Sequence, residues 1–277
     1  MNTGKSLRMR RIIDQPSQST VMFAFSHGTS APNVMAGLEH PEEMVVAARE
    51  GGADCVFLAP GLIEALATTL ASTPKLAVVA KVSATASRGA DPHQERLISS
   101  VDYSASLGVD GVVAMIPFAP GNEPDVISLM AQLGEQCARQ GIPLIAEAEF
   151  PNSYSGKGNY EEEWGLPYLK RSARLCAELG ADIVKSNWPG SRDALAELVE
   201  AVPVPVVVAG GSKKSDLALL ERLKEARTAG VIGCSVGRNI FQHESPSRIT
   251  AAITSVIRGE LEPDEAMRRH LSAMAVK

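Results

Sequence analysis

The chain is predicted to be an α/β protein, a single-domain (β/α)8 TIM barrel, on three observations. Eight short apolar runs alternate with longer segments whose apolar residues recur every three or four positions, the pattern of repeated βα units around a parallel sheet. Five units enter their strand through the same junction, a helix end closed by a glycine: EGGADCVF, SLGVDGVV, RQGIPLIA, ELGADIVK and TAGVIGCS. The 277 residues are 45% hydrophobic and show no composition shift or long linker, which suits one closed barrel better than an open sheet with a second domain.

The elements follow in order. Residues 1–18 are polar and basic and form an N-terminal extension, expected to cap the barrel bottom or to lie along a neighbour; residues 19–277 are the barrel with its C-terminal helices. The strand runs are TVMFAFS (20–26), DCVFLA (54–59), KLAVVAKVS (75–83), DGVVAMIPF (110–118), IPLIAEAEF (142–150), DIVKSN (182–187), VPVVVAGG (204–211) and GVIGCSVG (230–237). Amphipathic helices are expected at 40–51, 95–108, 125–141 and 167–180. After the last strand, PSRITAAITSVIRG supplies an eighth helix and PDEAMRRHL a short extra one. The segment 151–165, PNSYSGKGNYEEEWG, is the longest polar interruption; strand-to-helix loops form the active face of a barrel, so it is a candidate lid. Its Glu161–Glu163 run suits a helix start, where negative charge meets the macrodipole.

Charge and composition narrow the partners. A formal net charge of −5 and a pI near 5.6, with no basic cluster, argue against nucleic acid and against an anionic membrane surface. A small molecule is the expected partner. No stretch of about 18 apolar residues occurs, and the start lacks the apolar core of a secretory signal, so a cytoplasmic protein is expected. Cys55, Cys137, Cys176 and Cys234 stand far apart without a Cys-x-x-Cys pair, and no His-rich or Asp-rich cluster has ligand spacing. Neither metal nor cofactor is expected.

The apolar run DIVKSN is interrupted by Lys185, placed by alternation on the face of Ile183 and Asn187. A lysine there is a functional amine or an ammonium that reaches solvent along its stem. An ordinary lysine, with a pKa near 10.4, holds almost no free amine at neutral pH, and lowering that value by three units takes about 4 kcal/mol. Apolar burial can do this, and so can a second cation, for which Lys81 at the end of the third strand is placed. The last two strands end in glycine-rich turns, with Gly210, Gly211, Ser212, Gly237 and Arg238. Such turns let backbone N–H groups approach an anion at a helix start.

The motifs DIVK (182–185), VPVVVAGGSKK (204–214) and GCSVGRNIF (233–241), with ADCVFLAPG (53–61), resemble in order and spacing the class I aldolases of the DeoC/FbaB type, the archaeal-type fructose-bisphosphate aldolases and the LsrF-like thiolase. The resemblance covers most of the chain and is strongest from 180 to 243. It implies a barrel, a Schiff-base lysine at Lys185, a phosphate site at Gly210, Gly211, Ser212, Gly237 and Arg238, and a homo-oligomer. Two departures bear on substrate and proton transfer. Where relatives carry Asp-His-Gly on the first strand, this chain has Ser26-His27-Gly28; where they carry Tyr-Pro-Arg-Gly after the fifth, it has Phe150-Pro151-Asn152-Ser153.

With that tyrosine absent, His27, Glu147, Glu149 and Tyr154 become candidates for proton transfer. Glu147 and Glu149 share a strand face, and the polar barrel mouth is the less costly place for at least one of them. The resemblance puts Phe150 on the inward face instead, a conflict that a bend before Pro151 would relieve. The expected catalytic set is Lys185, Glu147, Glu149, His27 and Lys81. Ser26 and Asn187 join the substrate-binding set. The expected activity is a Schiff-base aldolase acting on a phosphorylated or otherwise anionic ketose-like substrate. The alternatives are an LsrF-like acyl transfer to coenzyme A and a non-catalytic phosphosugar-binding protein.

Overall fold

A computed structural model describes residues 2–85, 95–119, 121–151 and 160–271. The helix α1 (Thr3–Ile12) comes first, its N-terminus capped by Asn2, whose Oδ1 accepts from Lys5 N at 2.9 Å. All eight expected runs then form strands: β1 (Thr20–Ala24), β2 (Cys55–Leu58), β3 (Ala77–Lys81), β6 (Gly111–Met115), β7 (Leu144–Glu147), β8 (Ile183–Ser186), β9 (Val206–Ala209) and β10 (Gly233–Val236). They pair in parallel and close in the order β1-β10-β9-β8-β7-β6-β3-β2. Two further strands, β4 (Ser83–Thr85) and β5 (Glu95–Leu97), form a separate antiparallel hairpin that continues β3 beyond the barrel.

That hairpin corrects one expectation. The segment 95–108 begins as strand β5, and only Val101–Ser106 is helical, as α5. Ser100 decides the boundary: its hydroxyl accepts from Tyr103 N at 3.0 Å and starts the helix there. The remaining helices are α2 (Pro41–Glu50), α3 (Pro60–Ala65), α4 (Ala67–Ala71), α6 (Glu123–Gln140), α7 (Tyr160–Glu163), α8 (Gly165–Glu178), α9 (Arg192–Glu200), α10 (Asp216–Thr228), α11 (Arg238–Phe241), α12 (Pro246–Ile257) and α13 (Pro263–Ala266). Each of the five expected junctions holds a left-handed glycine, Gly52, Gly108, Gly141, Gly180 and Gly230, with φ between 64° and 104°.

Two apolar layers separate the faces of the sheet. Inside the barrel lie Met22, Ala24, Cys55, Phe57, Val79, Val113, Ile145, Ile183 and Val207, with Ile12 closing the layer from α1. The alternate residues of the strands pack outward under the helices. At the bottom, Asp54, Asp110 and Asp182 repeat one device: each carboxylate accepts from the first free N–H of the neighbouring strand, at Val21, Val78 and Leu144, over 2.7–2.9 Å. Each also meets a cation, Arg258, Arg11 and Lys5 respectively. Two of those cations come from α1, so the extension is a plug for the barrel floor. Among the described residues no helix is long and apolar enough to cross a membrane.

Candidate active site

The carboxyl ends of β3, β7 and β8 bring three charged side chains to the barrel axis. Strand register pairs Glu147 directly with Lys185, and Lys81 reaches the same carboxylate from the other side. Lys185 Nζ lies 2.7 Å from Glu147 Oε1, and Lys81 Nζ 2.5 Å from Glu147 Oε2. Glu149, two residues on and on the same face, places Oε1 3.4 Å from Lys185 Nζ. Lys81, Glu147 and Lys185 are 3%, 5% and 6% exposed, too deep for either lysine to reach bulk solvent. The face of Lys185 is settled: it lies above Ile183, inside the barrel.

The electrostatics reverse the expected charge state of Lys185. Burial opposes its ammonium, but Glu147 and Glu149 outweigh burial, and the pKa is raised. Lys81, expected as a repelling cation, is instead held on the other oxygen of Glu147. For Glu147 burial favours the neutral acid, yet Lys185 and Lys81 together hold it well below the usual carboxylate range. Glu149 has only part of one lysine, so burial prevails and its pKa is raised. The two carboxyls on one strand face are thereby driven apart, one fixed as an anion and one suited to carry a proton.

Phe150 does not face the barrel axis. Its ring stacks on Tyr168 at 5.4 Å between centroids, and Trp164 lies 5.0 Å from Tyr168. The bend is held by Asn187, whose Oδ1 accepts from Phe150 N at 2.7 Å. Through this bond Asn187, expected in the substrate-binding set, also braces β8 against the end of β7. The conflict between Glu149 and Phe150 resolves in favour of the carboxylate. Tyr154 and most of the candidate lid, 152–159, lie outside the described residues.

His27 opens a short 3-10 turn after β1, its ring edge-on to Phe241 at 5.1 Å. Burial first, then the charges of Lys185 and Arg238, lower its pKa to about 4, so the ring is neutral at physiological pH. Gly237 must be glycine here, since a Cβ would come within 2.3 Å of the His27 ring. Ser26 caps that turn with its backbone carbonyl, which accepts from Thr29 N and Oγ1; no described contact joins its side chain to the lysines.

The glycine turns after β9 and β10 face each other across one residue not singled out in the sequence, Asn239. It is 4% exposed; its amide donates to the carbonyls of Gly210 and Ser212, both at 3.3 Å, and its Oδ1 accepts from Lys214 N at 3.0 Å. Lys213 Nζ adds a bond to Gln242 O at 2.6 Å. Gly211 is left-handed at φ 72°, and Arg238 at the start of α11 keeps a buried Nε with no partner among the described residues. The turns thus form a braced rim with an unspent guanidinium donor. Only the run GRNIF hinted at Asn239, and a buried asparagine there is indistinguishable from a helix cap without the opposing turn. Among the described residues no group of three His, Cys, Asp or Glu could hold a metal ion.

Residues 20–243 match the family described as DeoC/LacD family aldolase. The chain is 31% identical over 264 residues, 95% of each chain, to 2-amino-3,7-dideoxy-D-threo-hept-6-ulosonate synthase 1 of Archaeoglobus fulgidus. It is 28% identical over 268 residues, 97% of each chain, to the synthase of the same name from Halobacterium salinarum. Among solved structures, an archaeal fructose-1,6-bisphosphate aldolase whose catalytic lysine carries a carbinolamine superposes with a TM-score of 0.80 at 23% identity, over 92% of this chain and 100% of that one. A fructose-bisphosphate aldolase from Slackia heliotrinireducens gives 0.83 at 20% identity, over 100% and 93%. At these identities the structural likeness carries the fold.

Proposed function

The chain belongs to the DeoC/LacD family of aldolases, and on that premise we propose that it makes or breaks a carbon–carbon bond through a Schiff base on Lys185. The substrate class is a phosphorylated or otherwise anionic carbonyl compound, gripped by Arg238 and the rim of Gly210, Gly211, Ser212 and Gly237. The observation that carries this reading is a lysine buried inside the barrel mouth, 2.7 Å from one carboxylate and 3.4 Å from a second. The aldolase relatives do not favour acyl transfer to coenzyme A or a binding-only role.

The raised pKa of Lys185 works against a free amine but for the intermediate that follows. A protonated Schiff base keeps one positive charge at the same nitrogen, so the carboxylates that hold the ammonium also hold the iminium, in a site already arranged for that charge. The step needing help is removal of the ammonium proton, and Glu149, with its raised pKa, is the group to take it. The free amine attacks the carbonyl carbon; Glu149 returns the proton to the departing hydroxyl, which leaves as water. In the cleavage direction a base then removes the substrate hydroxyl proton, the carbon–carbon bonding pair moves into the iminium, and an enamine forms. Glu149 is placed for this second transfer as well. Glu147 stays ionised throughout and positions Lys185.

Borohydride reduction in the presence of dihydroxyacetone phosphate or fructose 1,6-bisphosphate, followed by peptide mass measurement, tests the proposal. A reduced adduct on Lys185, absent from Lys185→Met, is expected. Labelling of other lysines only, or of none across these and non-phosphorylated keto acids, overturns it.

A further inference from the structure

The two carboxylates beside Lys185 are held in different ways. Glu147 is in register with β6 and β8, and its carbonyl accepts from Ile116 N at 3.0 Å, so the barrel ladder fixes its backbone. Glu149 lies beyond that ladder: Ala148 N turns back onto Ala146 O at 3.1 Å, and the chain bends. Two side chains hold the peptide that follows Glu149 instead. Its N–H, on Phe150, donates to Asn187 Oδ1 at 2.7 Å, and its carbonyl oxygen, on Glu149, accepts from the Tyr168 hydroxyl at 3.2 Å. One peptide is thus gripped at both polar ends, from β8 and from α8. Because a peptide unit is planar, holding both ends limits rotation about ψ of Glu149, and with it the direction of a side chain whose Oε1 stands 3.4 Å from Lys185 Nζ.

We propose that Tyr168 is a positioning residue that acts through Glu149: its hydroxyl fixes the Glu149–Phe150 peptide so that the Glu149 carboxyl stays within proton-transfer reach of Lys185. The inference rests on the reading of Glu149 as the proton carrier for a Schiff base on Lys185. The phenol suits a fixed donor rather than a proton exchanger, since burial pushes its pKa up and its hydrogen stays in place. Its ring is anchored for that task, packed on Phe150 at 5.4 Å and on Trp164 at 5.0 Å between centroids. Proton transfer tolerates little slack, because the two heavy atoms must close to about 2.6–3.2 Å. The separation of 3.4 Å is already at the edge of that reach, so a small turn of Glu149 away from Lys185 breaks the path.

The experiment follows the rate of borohydride-trapped adduct formation on Lys185 against dihydroxyacetone phosphate concentration, in wild type, Tyr168→Phe, Glu149→Gln, the double variant and Phe150→Leu. Tyr168→Phe keeps the stacked ring and loses only the hydroxyl. Its maximal rate is expected to fall about tenfold, a part of the roughly 10²–10⁴-fold that a positioned acid–base group contributes, with half-saturation unchanged within about twofold. In the Glu149→Gln background the same change is expected to alter the rate by less than about twofold, because a residue that acts through Glu149 has nothing left to position. Phe150→Leu, which loses the stack and keeps both hydrogen bonds of the peptide, is expected within about threefold of wild type. The proposal is overturned if Tyr168→Phe keeps the wild-type maximal rate, if it slows Glu149→Gln by the same factor as it slows wild type, or if Phe150→Leu is slowed as much as Tyr168→Phe. Should Glu149→Gln trap no adduct, the contrast between the two other single variants decides. A Glu149→Gln rate equal to that of wild type would remove Glu149 as proton carrier and this inference with it, whereas absence of any wild-type adduct on Lys185 would remove the Schiff-base reading itself.

Discussion

Glu147 and Lys185 occupy directly paired positions on neighbouring parallel strands, and their side chains close a 2.7 Å ion pair inside the barrel. Both members are buried, and the second carboxylate oxygen is occupied by Lys81. Removing one member of such a group strands charges that cannot reach water.

Glu147→Gln is therefore expected to lower stability by about 3 kcal/mol, in the range for breaking a buried pair. A lower urea midpoint at unchanged slope is the measurement. The same substitution lowers the pKa of Lys185, which keeps only Glu149, so residual adduct formation should begin at lower pH than in wild type. An unshifted onset would show that Glu147 does not govern the amine.

His27 makes folding stability depend on pH. Its folded pKa, about 4, lies below the ordinary value near 6.5, so the unfolded chain binds the extra proton between these limits. The His27 contribution is complete above pH 6.5 and is lost as pH falls from 6.5 to 4, with a slope of at most about 1.4 kcal/mol per unit. Denaturation midpoints at pH 7, 6, 5 and 4 should fall less steeply in His27→Gln.

Asn239→Ala uncouples the two glycine turns by deleting three hydrogen bonds. Buried amide bonds contribute about 1 kcal/mol each, so a loss of about 3 kcal/mol in stability is expected. If the rim grips the anion, half-saturation by a phosphorylated substrate should rise at least about tenfold, which corresponds to 1.4 kcal/mol, with the maximal rate less affected. Equal losses in both would place Asn239 in the folding of the rim alone.

Phe150→Tyr should not supply a proton-transfer group, because the ring stacks on Tyr168 and points away from Lys185. Steady-state kinetics of the variant are expected within about threefold of wild type, the scale of a change under 1 kcal/mol. A gain of more than tenfold would mean that the ring turns inward during turnover.

The barrel was legible in the chain because its signals are local. Alternation in KLAVVAKVS or DIVKSN states which residues share a face, and a glycine after an amphipathic run states where a helix ends; neither needs a distant partner. The same locality put Lys185 on the face of Ile183 and Glu147 on that of Glu149, and left open which way the glutamates turned. It also concealed the strand in 95–108, where Ser100 starts the helix late, and the outward turn of Phe150, which depends on a side chain 37 residues away.

The charge state of the site belonged to tertiary structure alone. Lys185 by itself suggested an amine kept neutral by apolar burial; the fold set it against carboxylates 38 and 36 positions away in sequence, and these raise its pKa. Lys81 reaches the same group across 66 positions, and Asn239 clamps a turn 29 positions back. Periodicity fixes a side chain's direction on its own strand, whereas an ion pair or a clamp depends on which strand lies alongside. Closure of the sheet decides that, through burial summed over the whole barrel, and no short stretch of residues encodes it.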